Sequence, residues 1–296
     1  MRKLLLKFAK RSYAVAVVFT KDLISLLSCI LFSSFKSAKK LKNLNKKIGS
    51  YCRDCYILGN GPALKEALKN LPDQSKTDFF VVNMFANQDI FFDLKPKNYI
   101  IIDPYTWDYE THPFLDSSAD LKVFQQNAVN LQKALARVDW NMNLFVPNGC
   151  PKRFTDKLSP SINVIHINTT PVDGSVRLSH FLYKHGLGMP FPMNVTNAAV
   201  YVAIMLRYPR TYLYGANHSW LKDYDVDENN RIFLNDNHFY DKSRKYIKKG
   251  CLQTSLKCMS IAFFSHDKLD NFSREMGVRV YNRTKGSFID AYEFDC

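Results

Sequence analysis

Two histidines in the second half of the chain, His218 and His238, are the side chains best suited to proton transfer. A histidine side chain titrates near neutral pH, which suits a general base that takes the proton from a reacting hydroxyl. His238 lies in "LNDNHFYD", beside Asp236 and Asp241, which could orient its ring or favour its protonated form. His218 directly follows Asn217 at the end of a predicted strand. We therefore expect a catalytic histidine in this part of the chain.

Polar turn residues follow four predicted strands at the point where each strand ends. They are Gly59-Asn60-Gly61-Pro62, Asn83, Asp103-Pro104 and Gly215-Ala216-Asn217-His218. Parallel sheets bind ligands at the carboxyl ends of their strands, so these turns are expected to meet at one edge and form a pocket. Gly, Pro, Asn and Asp are also ordinary turn residues, which is the alternative interpretation.

The first of these turns, "YILGNGPAL", has features of an anion site. Gly59 and Gly61 allow the backbone to approach a ligand closely, and Pro62 suits the first turn of a helix. Free N–H groups at the start of that helix would favour a phosphate. Leu64 stands where a dinucleotide-binding motif has its third glycine, and no Walker lysine follows. The turn therefore predicts a phosphate site of another kind.

Three aspartates, Asp223, Asp225 and Asp227, are spaced like metal ligands. The calcium-loop pattern fails, because Glu228 occupies the glycine position and no glutamate closes the loop. We interpret this stretch as part of a solvated lid and predict no metal site. Lys242, in the basic run that follows, is better placed to meet a phosphate.

Short apolar runs alternate with helical patterns from residue 51 onward, which favours a doubly wound, mostly parallel α/β sheet. The predicted strands are Tyr56–Leu58, Phe79–Asn83, Tyr99–Asp103, Leu144–Val146, Val164–Ile167, Thr211–Tyr214 and Val278–Tyr281. The predicted helices are Ala63–Asn70, Leu121–Arg137, Val176–Tyr183, Thr196–Arg207 and Tyr246–Met276. The polar stretch Lys222–Lys245 is predicted to be a mobile loop, within a lid spanning about 218–245 of the catalytic domain 51–296.

The charge is concentrated at the N-terminus. The net charge is +14, of which residues 1–47 supply +11. The charge of the remaining residues therefore does not indicate a basic groove that binds nucleic acid. The single C-x-x-C, Cys52 and Cys55, lacks a second ligand pair for zinc. Seven cysteines without a cleavable signal are typical of reduced thiols in a cytosolic protein.

Residues 1–50 form a basic and apolar segment. Tyr13–Phe35 is long enough to span a bilayer, but Lys21 and Asp22 interrupt it, and the run Leu23–Phe35 is short for a span. Basic clusters on both sides of an apolar helix favour an interfacial anchor on an anionic membrane surface. The alternatives are a spanning helix, or helices that pack on the body.

Several of these stretches together resemble a known family. "ILGNGPALKEAL", "FFVVNMF", "YIIIDP", "NVTNAAVYVAIML", "RTYLYGANHSW" and "GVRVYNRTKGSF" occur in the order, and roughly the spacing, of bacterial sialyltransferases of glycosyltransferase family forty-two. The related flagellin-glycosylating transferases share the G-N-G-P turn. The resemblance runs from about Tyr56 to the C-terminus and is weak between Asp108 and Val172.

This resemblance implies a Rossmann-like sheet of variant GT-A type and a CMP-activated nine-carbon acid sugar as donor, with no cofactor. It implies an inverting, metal-independent transfer to a sugar hydroxyl. By the same resemblance Asn60 would contact the phosphate region and Asn83 would face the donor. Asp103 stands where the family has an asparagine near the sugar. Thr196 and Asn197 would touch the donor carboxylate at a helix N-terminus.

The chain departs from the family where the general base should be. The family has "HYIGHS", with the second histidine as base; "HFYDKS" places Lys242 there and matches His238 to the first histidine. Ser219, Trp220, Tyr224 and Tyr240 lie near the family's assisting tyrosines without a clean match. The candidate catalytic residues are His238 and His218. The candidate ligand-binding residues are Gly59, Asn60, Gly61, Asn83, Asp103, Thr196, Asn197, Gly215, Asn217, Tyr240 and Lys242.

The sequence thus predicts a bacterial glycosyltransferase of surface polysaccharide synthesis, peripheral to the cytoplasmic face of the inner membrane. Its expected partners are a CMP-sugar donor, a glycan or lipid-linked glycan acceptor and the membrane surface, with no nucleic acid; a homo-oligomer is compatible with this. Three alternatives stay open: a transferase for another nucleotide sugar, a pyrophosphoryl-transfer enzyme using ATP and magnesium, and a non-catalytic membrane-bound scaffold.

Overall fold

The structure is a computed structural model that describes residues 2–48, 53–108, 118–237, 242–246 and 251–295. Its strands are β1 (Asp54–Leu58), β2 (Thr77–Val82), β3 (Asn98–Ile100), β4 (Met142–Pro147), β5 (Ile162–Ile167), β6 (Arg210–Tyr214), β7 (Tyr224–Val226), β8 (Ile232–Asn237), β9 (Lys242–Tyr246), β10 (Arg279–Asn282) and β11 (Glu293–Phe294). Its helices are α1 (Arg2–Phe32), α2 (Phe35–Ile48), α3 (Leu64–Ala67), α4 (Ile90–Leu94), α5 (Ser118–Ala136), α6 (Lys152–Thr155), α7 (Val176–Lys184), α8 (Val195–Met205) and α9 (Leu252–Glu275).

Eight strands form one sheet in the order β11-β10-β6-β1-β2-β3-β4-β5, and every pairing in it is parallel. From β1 the chain steps outward through β2, β3, β4 and β5. It then returns to the other side of β1 to place β6, followed by β10 and β11. The order therefore reverses between β1 and β6, which is where sheets of this kind leave a crevice for ligands.

The core lies on both faces of the sheet, because alternate residues of each strand point to opposite sides. Ile57 of β1 joins one apolar cluster with α8 and α9, while Leu58 joins a second cluster with α5. All eleven residues of α8 are buried, and α8 packs across β1, β2, β3 and β6. Because α8 is buried on every side, almost all of its side chains are apolar. The expectation of an α/β protein built on a large, mostly parallel sheet is confirmed.

The stretch Lys222–Lys245, expected to be a mobile loop, contains a second, antiparallel sheet of β7, β8 and β9. The β7–β8 turn explains the aspartates there. The Asp227 carboxylate accepts hydrogen bonds from the Asn229 and Arg231 N–H groups at 3.0 and 2.8 Å and pairs with the Arg231 guanidinium at 2.7 Å. Asp227 therefore stabilises the turn of a β-hairpin. The polar residues on either side of it belong to short strands and not to a loop.

The first two helices pack against the body of the protein. Cys29 of α1 and Leu41 of α2 are buried in the same apolar cluster as α8. Residues Lys10–Phe32 of α1 are long and apolar enough to cross a membrane, judged by length and composition, and 11% of this window is buried. By length and composition α1 could associate with a membrane, and its Cys29 packs into the apolar core.

Candidate functional site

A cleft of about 140 Å³ opens at the carboxyl ends of β1, β2 and β6, at the point where the strand order reverses. The turns after these three strands and the start of α8 supply its walls. The lining residues are Asn60, Gly61, Pro62, Val82, Asn83, Asn194, Val195, Thr196, Gly215, Ala216, Asn217, His218, Ser219, Trp220 and Asp223. Seven residues that the sequence singled out therefore lie in one cleft: Asn60, Gly61, Asn83, Thr196, Gly215, Asn217 and His218.

The glycines of the first turn bring β1 and β6 together. A Cβ atom at Gly59 would lie 2.6 Å from the Gly215 carbonyl oxygen, and one at Gly61 would lie 2.5 Å from the same atom. Only glycine leaves room for that approach. Gly215 itself has φ +64, a conformation that glycine adopts without strain.

Three N–H groups of this turn are hydrogen-bonded within the protein. Gly59 donates to the Tyr214 carbonyl at 2.7 Å, and Gly61 donates to the Gly215 carbonyl at 2.8 Å. The Ala63 N–H donates to Asn217 Oδ1 at 3.2 Å. The following helix, α3, has four residues. The Gly59, Gly61 and Ala63 N–H groups are thus used by β6 and its loop, so a phosphate at this turn stays a prediction that would have to rely on the other donors nearby.

Two residues of the cleft lining, Asn60 and Asn83, each have a side-chain carbonyl without a donor. The Oδ1 atoms of Asn60 and Asn83 are buried and have no hydrogen-bond partner within the described part of the chain. Asn60 Nδ2 donates to the Val82 carbonyl at 3.2 Å, and the Tyr99 hydroxyl donates to the Asn83 backbone carbonyl. A buried acceptor without a donor costs about 1–3 kcal/mol, so both carbonyls suit a ligand with hydroxyl or amino groups.

Asn83 and His218 have left-handed backbone conformations, with φ +45 and φ +48. Asparagine and histidine visit this region more often than most non-glycine residues, but the conformation is still uncommon. Strained backbone of this kind clusters at functional sites, where the surrounding structure holds it in place. Both residues border the cleft.

The N-terminus of α8 forms another wall. Asn194 caps it by accepting from the Thr196 N–H at 2.7 Å, and the Asn197 side chain accepts from the Asn194 N–H at 3.3 Å. Thr196 lines the cleft, whereas Asn197 donates to the Ala262 carbonyl at 3.1 Å and is 1% exposed. The positive end of the helix dipole therefore faces the cleft and favours an anionic group, and Asn197 holds the helix rather than the ligand.

His218 is part of a buried chain of polar groups that the sequence did not reveal. Its Nε2 lies 3.3 Å from Nε2 of His266, whose Nδ1 lies 2.8 Å from the Tyr292 hydroxyl. Trp220 covers the His218 ring at a centroid distance of 4.4 Å. His266 lies in the middle of α9, and the sequence carries no local signal for its pairing with a residue 48 positions away.

Burial controls the protonation of this pair. It lowers the pKa of His218 to about 3, and burial together with the neighbouring His218 lowers the pKa of His266 well below its usual value. Both imidazoles are therefore neutral at physiological pH. A neutral imidazole can accept a proton, and an anion bound beside it would raise its pKa and strengthen it as a base.

The remaining predicted residues lie elsewhere. Asp103 accepts from the Tyr105 N–H at 3.0 Å, where it caps the turn Pro104–Thr106, and it does not line the cleft. Gly59 lies behind the cleft wall, against Gly215. His238 and Tyr240 lie outside the described residues. Lys242 is the first residue of β9.

The described lining of the cleft carries one carboxylate, Asp223, and no lysine or arginine. In the parts of the chain that the structure describes, no group of three or more His, Cys, Asp or Glu side chains is arranged to hold a metal ion. A ligand anion in this cleft would therefore rely on hydroxyl groups, on imidazole and on the α8 N-terminus.

An apolar pocket of about 280 Å³ adjoins the cleft and shares Asn194 and Trp220 with it. Side chains of α9, β7 and β8 complete its lining: Met193, Tyr224, Leu234, Thr254, Ser255, Cys258, Met259 and Ala262. Polar and apolar subsites thus lie side by side, as in sites that bind an amphipathic ligand or two substrates.

Neither a protein-family model nor a curated protein matches this chain.

Proposed function

We propose that the protein is a glycosyltransferase that moves a sialic-acid-like sugar from a CMP-activated donor to a glycan hydroxyl. The observation that carries this proposal is the cleft at the point where the strand order reverses. It combines two buried, unpartnered amide carbonyls, Asn60 Oδ1 and Asn83 Oδ1, with the N-terminus of α8. A donor of this type offers hydroxyl and amino hydrogens together with anionic groups, which match those two features.

In this proposal, Asn60 and Asn83 accept hydrogen bonds from hydroxyl or amino groups of the donor. The carboxylate of the acid sugar lies at the N-terminus of α8 beside Thr196, where the helix dipole favours negative charge. The sheet would then be a variant of the GT-A type. The volume of about 140 Å³ is below the usual range for a whole ligand, so the cleft holds the central part of the donor and the rest extends from it.

Transfer with inversion requires a base that takes the acceptor proton as the hydroxyl attacks the anomeric carbon from the side opposite the leaving phosphate. His218 is the imidazole of the cleft, and His238 stays a predicted base in the chain that follows β8. The base takes up the acceptor proton on the side of attack, and the cytidylate phosphate leaves on the opposite side of the sugar. The charge of the departing phosphate would therefore be stabilised by other groups, such as hydroxyl groups on that side, and not by the base.

The acceptor would approach from the apolar pocket beside Trp220. A lipid-linked glycan has an apolar portion that suits this lining, and an enzyme bound to the cytoplasmic face of the inner membrane would share a surface with it. This arrangement accounts for the neighbouring polar and apolar subsites.

The test is a thermal-shift panel of CMP, UMP, GDP and ATP, with and without magnesium and EDTA. The full chain is used, because Cys29 and Leu41 of the first two helices belong to the core. We expect the largest stabilisation with CMP, independent of EDTA. A preference for UMP or GDP would contradict the CMP-activated donor and indicate a sugar activated by that other nucleotide. Stabilisation by ATP that requires magnesium would favour the pyrophosphoryl-transfer alternative.

A further inference from the structure

The side of α1 that faces the body is small and polar. Asp22 Oδ1 accepts from the Ser175 N–H at 2.7 Å, and the Ser25 hydroxyl donates to the Asp173 carbonyl at 2.5 Å. Ser25 is 3% exposed. At the end of the helix the Ser33 hydroxyl lies 2.8 Å from that of Thr170. Hydrogen bonds along three turns therefore hold the second half of α1 against the body.

An ion-pair clamp strengthens this contact. The Asp173 carboxylate binds Lys21 of α1 at 2.8 Å and also binds Lys268 of α9. Burial of Asp173 would raise its pKa, but the hydrogen bonds from the two lysines outweigh that effect and lower it. Lys21 and Asp22 are the charged residues that interrupt the apolar sequence, and both bind the body of the protein.

The opposite side of α1 is apolar and exposed. The exposed side chains include Phe19, Leu23, Leu27, Ile30, Leu31 and Phe32, and the last three are 68–72% exposed. Helix α7, which packs on α1, adds Val176 and Phe181 at 65% and 54% exposed. A surface helix of a water-soluble protein turns its apolar side inward, so α1 has the reverse arrangement. We call the outer side of α1 with Val176 and Phe181 the apolar face.

Charge identifies what covers the apolar face. Residues 1–47 carry a net charge of +11, with cationic clusters before Tyr13 and after Phe35. Two copies of this segment would repel each other if they met through the face. An anionic phospholipid surface attracts it, with about 1 kcal/mol per Lys or Arg near the surface.

We infer that α1 lies along one leaflet of an anionic membrane, with the apolar face in the lipid and the Asp22–Ser33 side on the protein. A spanning arrangement would pull the residues from Lys21 to Ser33 away from the body or draw the body into the hydrocarbon. If the Asp22–Ser33 side stays docked, the remaining part of α1, Arg2–Thr20, would have to form the span. It has five Lys or Arg residues within its first ten positions, which is too many charges for the hydrocarbon core.

This arrangement also sets the orientation of the cleft. The link between α1 and α2 and the first turn of α2 bind the turns that follow β4 and β5. Ser37 Oγ of α2 donates to Asn148 Oδ1 at 2.7 Å, and the Ser34 N–H of the link donates to Asn168 Oδ1 at 2.7 Å. Because the sheet is parallel, these turns lie at the same edge as the cleft. The cleft therefore opens at the membrane-bound edge of the sheet. This inference concerns the surface of the protein and does not depend on the transfer reaction.

Vesicle flotation tests the inference on the full chain. We expect the protein to float with vesicles of phosphatidylcholine and phosphatidylglycerol, and less with phosphatidylcholine alone. Ile24→Asp on the apolar face should lower the bound fraction by roughly tenfold, as expected when one large apolar contact with lipid is lost. Val123→Asp on α5 is the matched control, since Ile24 and Val123 are each 58% exposed, and it should bind like wild type.

Equal flotation of wild type and Ile24→Asp would overturn the inference, and so would failure of the wild type to float. A dimer in detergent-free solution that Ile24→Asp dissociates would assign the apolar face to a second copy. Thermal melting checks that both variants fold.

Sidedness separates one leaflet from a span. With one tag at each end of the chain, protease added to inverted inner-membrane vesicles from a bacterial host should remove both tags. Protection of the N-terminal tag alone would show a spanning helix and contradict the inference. Because CMP binding is measured separately by thermal shift, failure of the transferase proposal would leave these results unaffected.

Discussion

The Nε2 atoms of His218 and His266 lie 3.3 Å apart, both rings are buried, and Trp220 packs on the His218 ring. At that distance one nitrogen donates and the other accepts, so the pair is held by a single proton between two neutral rings. The Tyr292 hydroxyl fixes the far side of His266 at 2.8 Å. His218 is therefore oriented from behind by two groups that do not line the cleft.

The first prediction concerns stability in acid. The pKa of His218 in the folded protein is about 3, below its ordinary value of 6.5, because of burial. As the pH falls through 6.5, the unfolded chain takes up a proton that the folded chain does not, so stability should fall between pH 6.5 and 3. Each such histidine costs up to about 1.4 kcal/mol per pH unit in this window. Urea unfolding at a series of pH values measures the slope.

His218→Asn should flatten that slope, because it removes the buried titrating group and asparagine tolerates φ +48. Gly149→Ala, which removes no titrating group and meets nothing within 4 Å, is the control and should retain the slope of the wild type. An unchanged slope in His218→Asn would show that the acid sensitivity arises elsewhere.

The second prediction concerns the unpartnered carbonyls. Asn60→Ala should weaken CMP binding by roughly five- to tenfold, the usual cost of one hydrogen bond between protein and ligand. Asn87→Ala is a matched control, since Asn87 also has a buried Oδ1 atom without a partner among the described residues but does not line the cleft. Isothermal titration measures both. Equal losses in the two variants would argue against direct contact at Asn60.

Much of the sheet could be predicted because its strands are buried on both faces and read as continuous apolar runs, as at Tyr56–Leu58 and Thr211–Tyr214. The cleft could be predicted in outline because Asn60, Asn83 and Asn217 each follow such a run. The N–H groups that remain free could not be predicted, because they depend on the position of β6 beside β1. Local sequence does not determine the order of strands in a sheet. His266 was missed for the same reason.

The small antiparallel sheet was missed for a different reason. Its strands are rich in Asp, Asn, Lys and Arg, so their period-two pattern is weak, and Asp227 resembles a metal ligand until its turn is seen. The docking side of α1 was equally hidden, because serines within an apolar run give no indication of the surface that they face.

The third prediction concerns the contact between the first turn and the β6 loop. Gly59→Ala would place a Cβ atom 2.6 Å from the Gly215 carbonyl oxygen, so it should destabilise the protein by roughly 1–3 kcal/mol. Gly149→Ala meets nothing within 4 Å and should be neutral or stabilising by up to about 1 kcal/mol. Denaturant midpoints compare the two. A neutral Gly59→Ala would mean that the two turns can separate.

The fourth prediction concerns the Asp173 clamp. Asp173→Asn keeps the shape of the side chain but removes the ion pairs with Lys21 and Lys268, so the contact of α1 with the body should loosen. Hydrogen exchange should become faster in α1 around Lys21, more so than in the core strands. Asp139→Asn, which breaks the exposed pair with Lys95 at 3.5 Å, is the control. Unchanged exchange in Asp173→Asn would assign the docking to the serine contacts alone.

The interlocked turns after β1 and β6 have a consequence for how this protein can change over time. Because the Gly59 and Gly61 N–H groups are bonded to β6 and its loop, a ligand beside these turns is recognised mainly by side chains, while the N-terminus of α8 offers a separate main-chain contact. Side chains can be exchanged one codon at a time while the scaffold beneath them stays rigid. Substitutions at positions 60 and 83 could therefore redirect the choice of ligand without a new loop, and natural variation at these two positions should follow ligand identity.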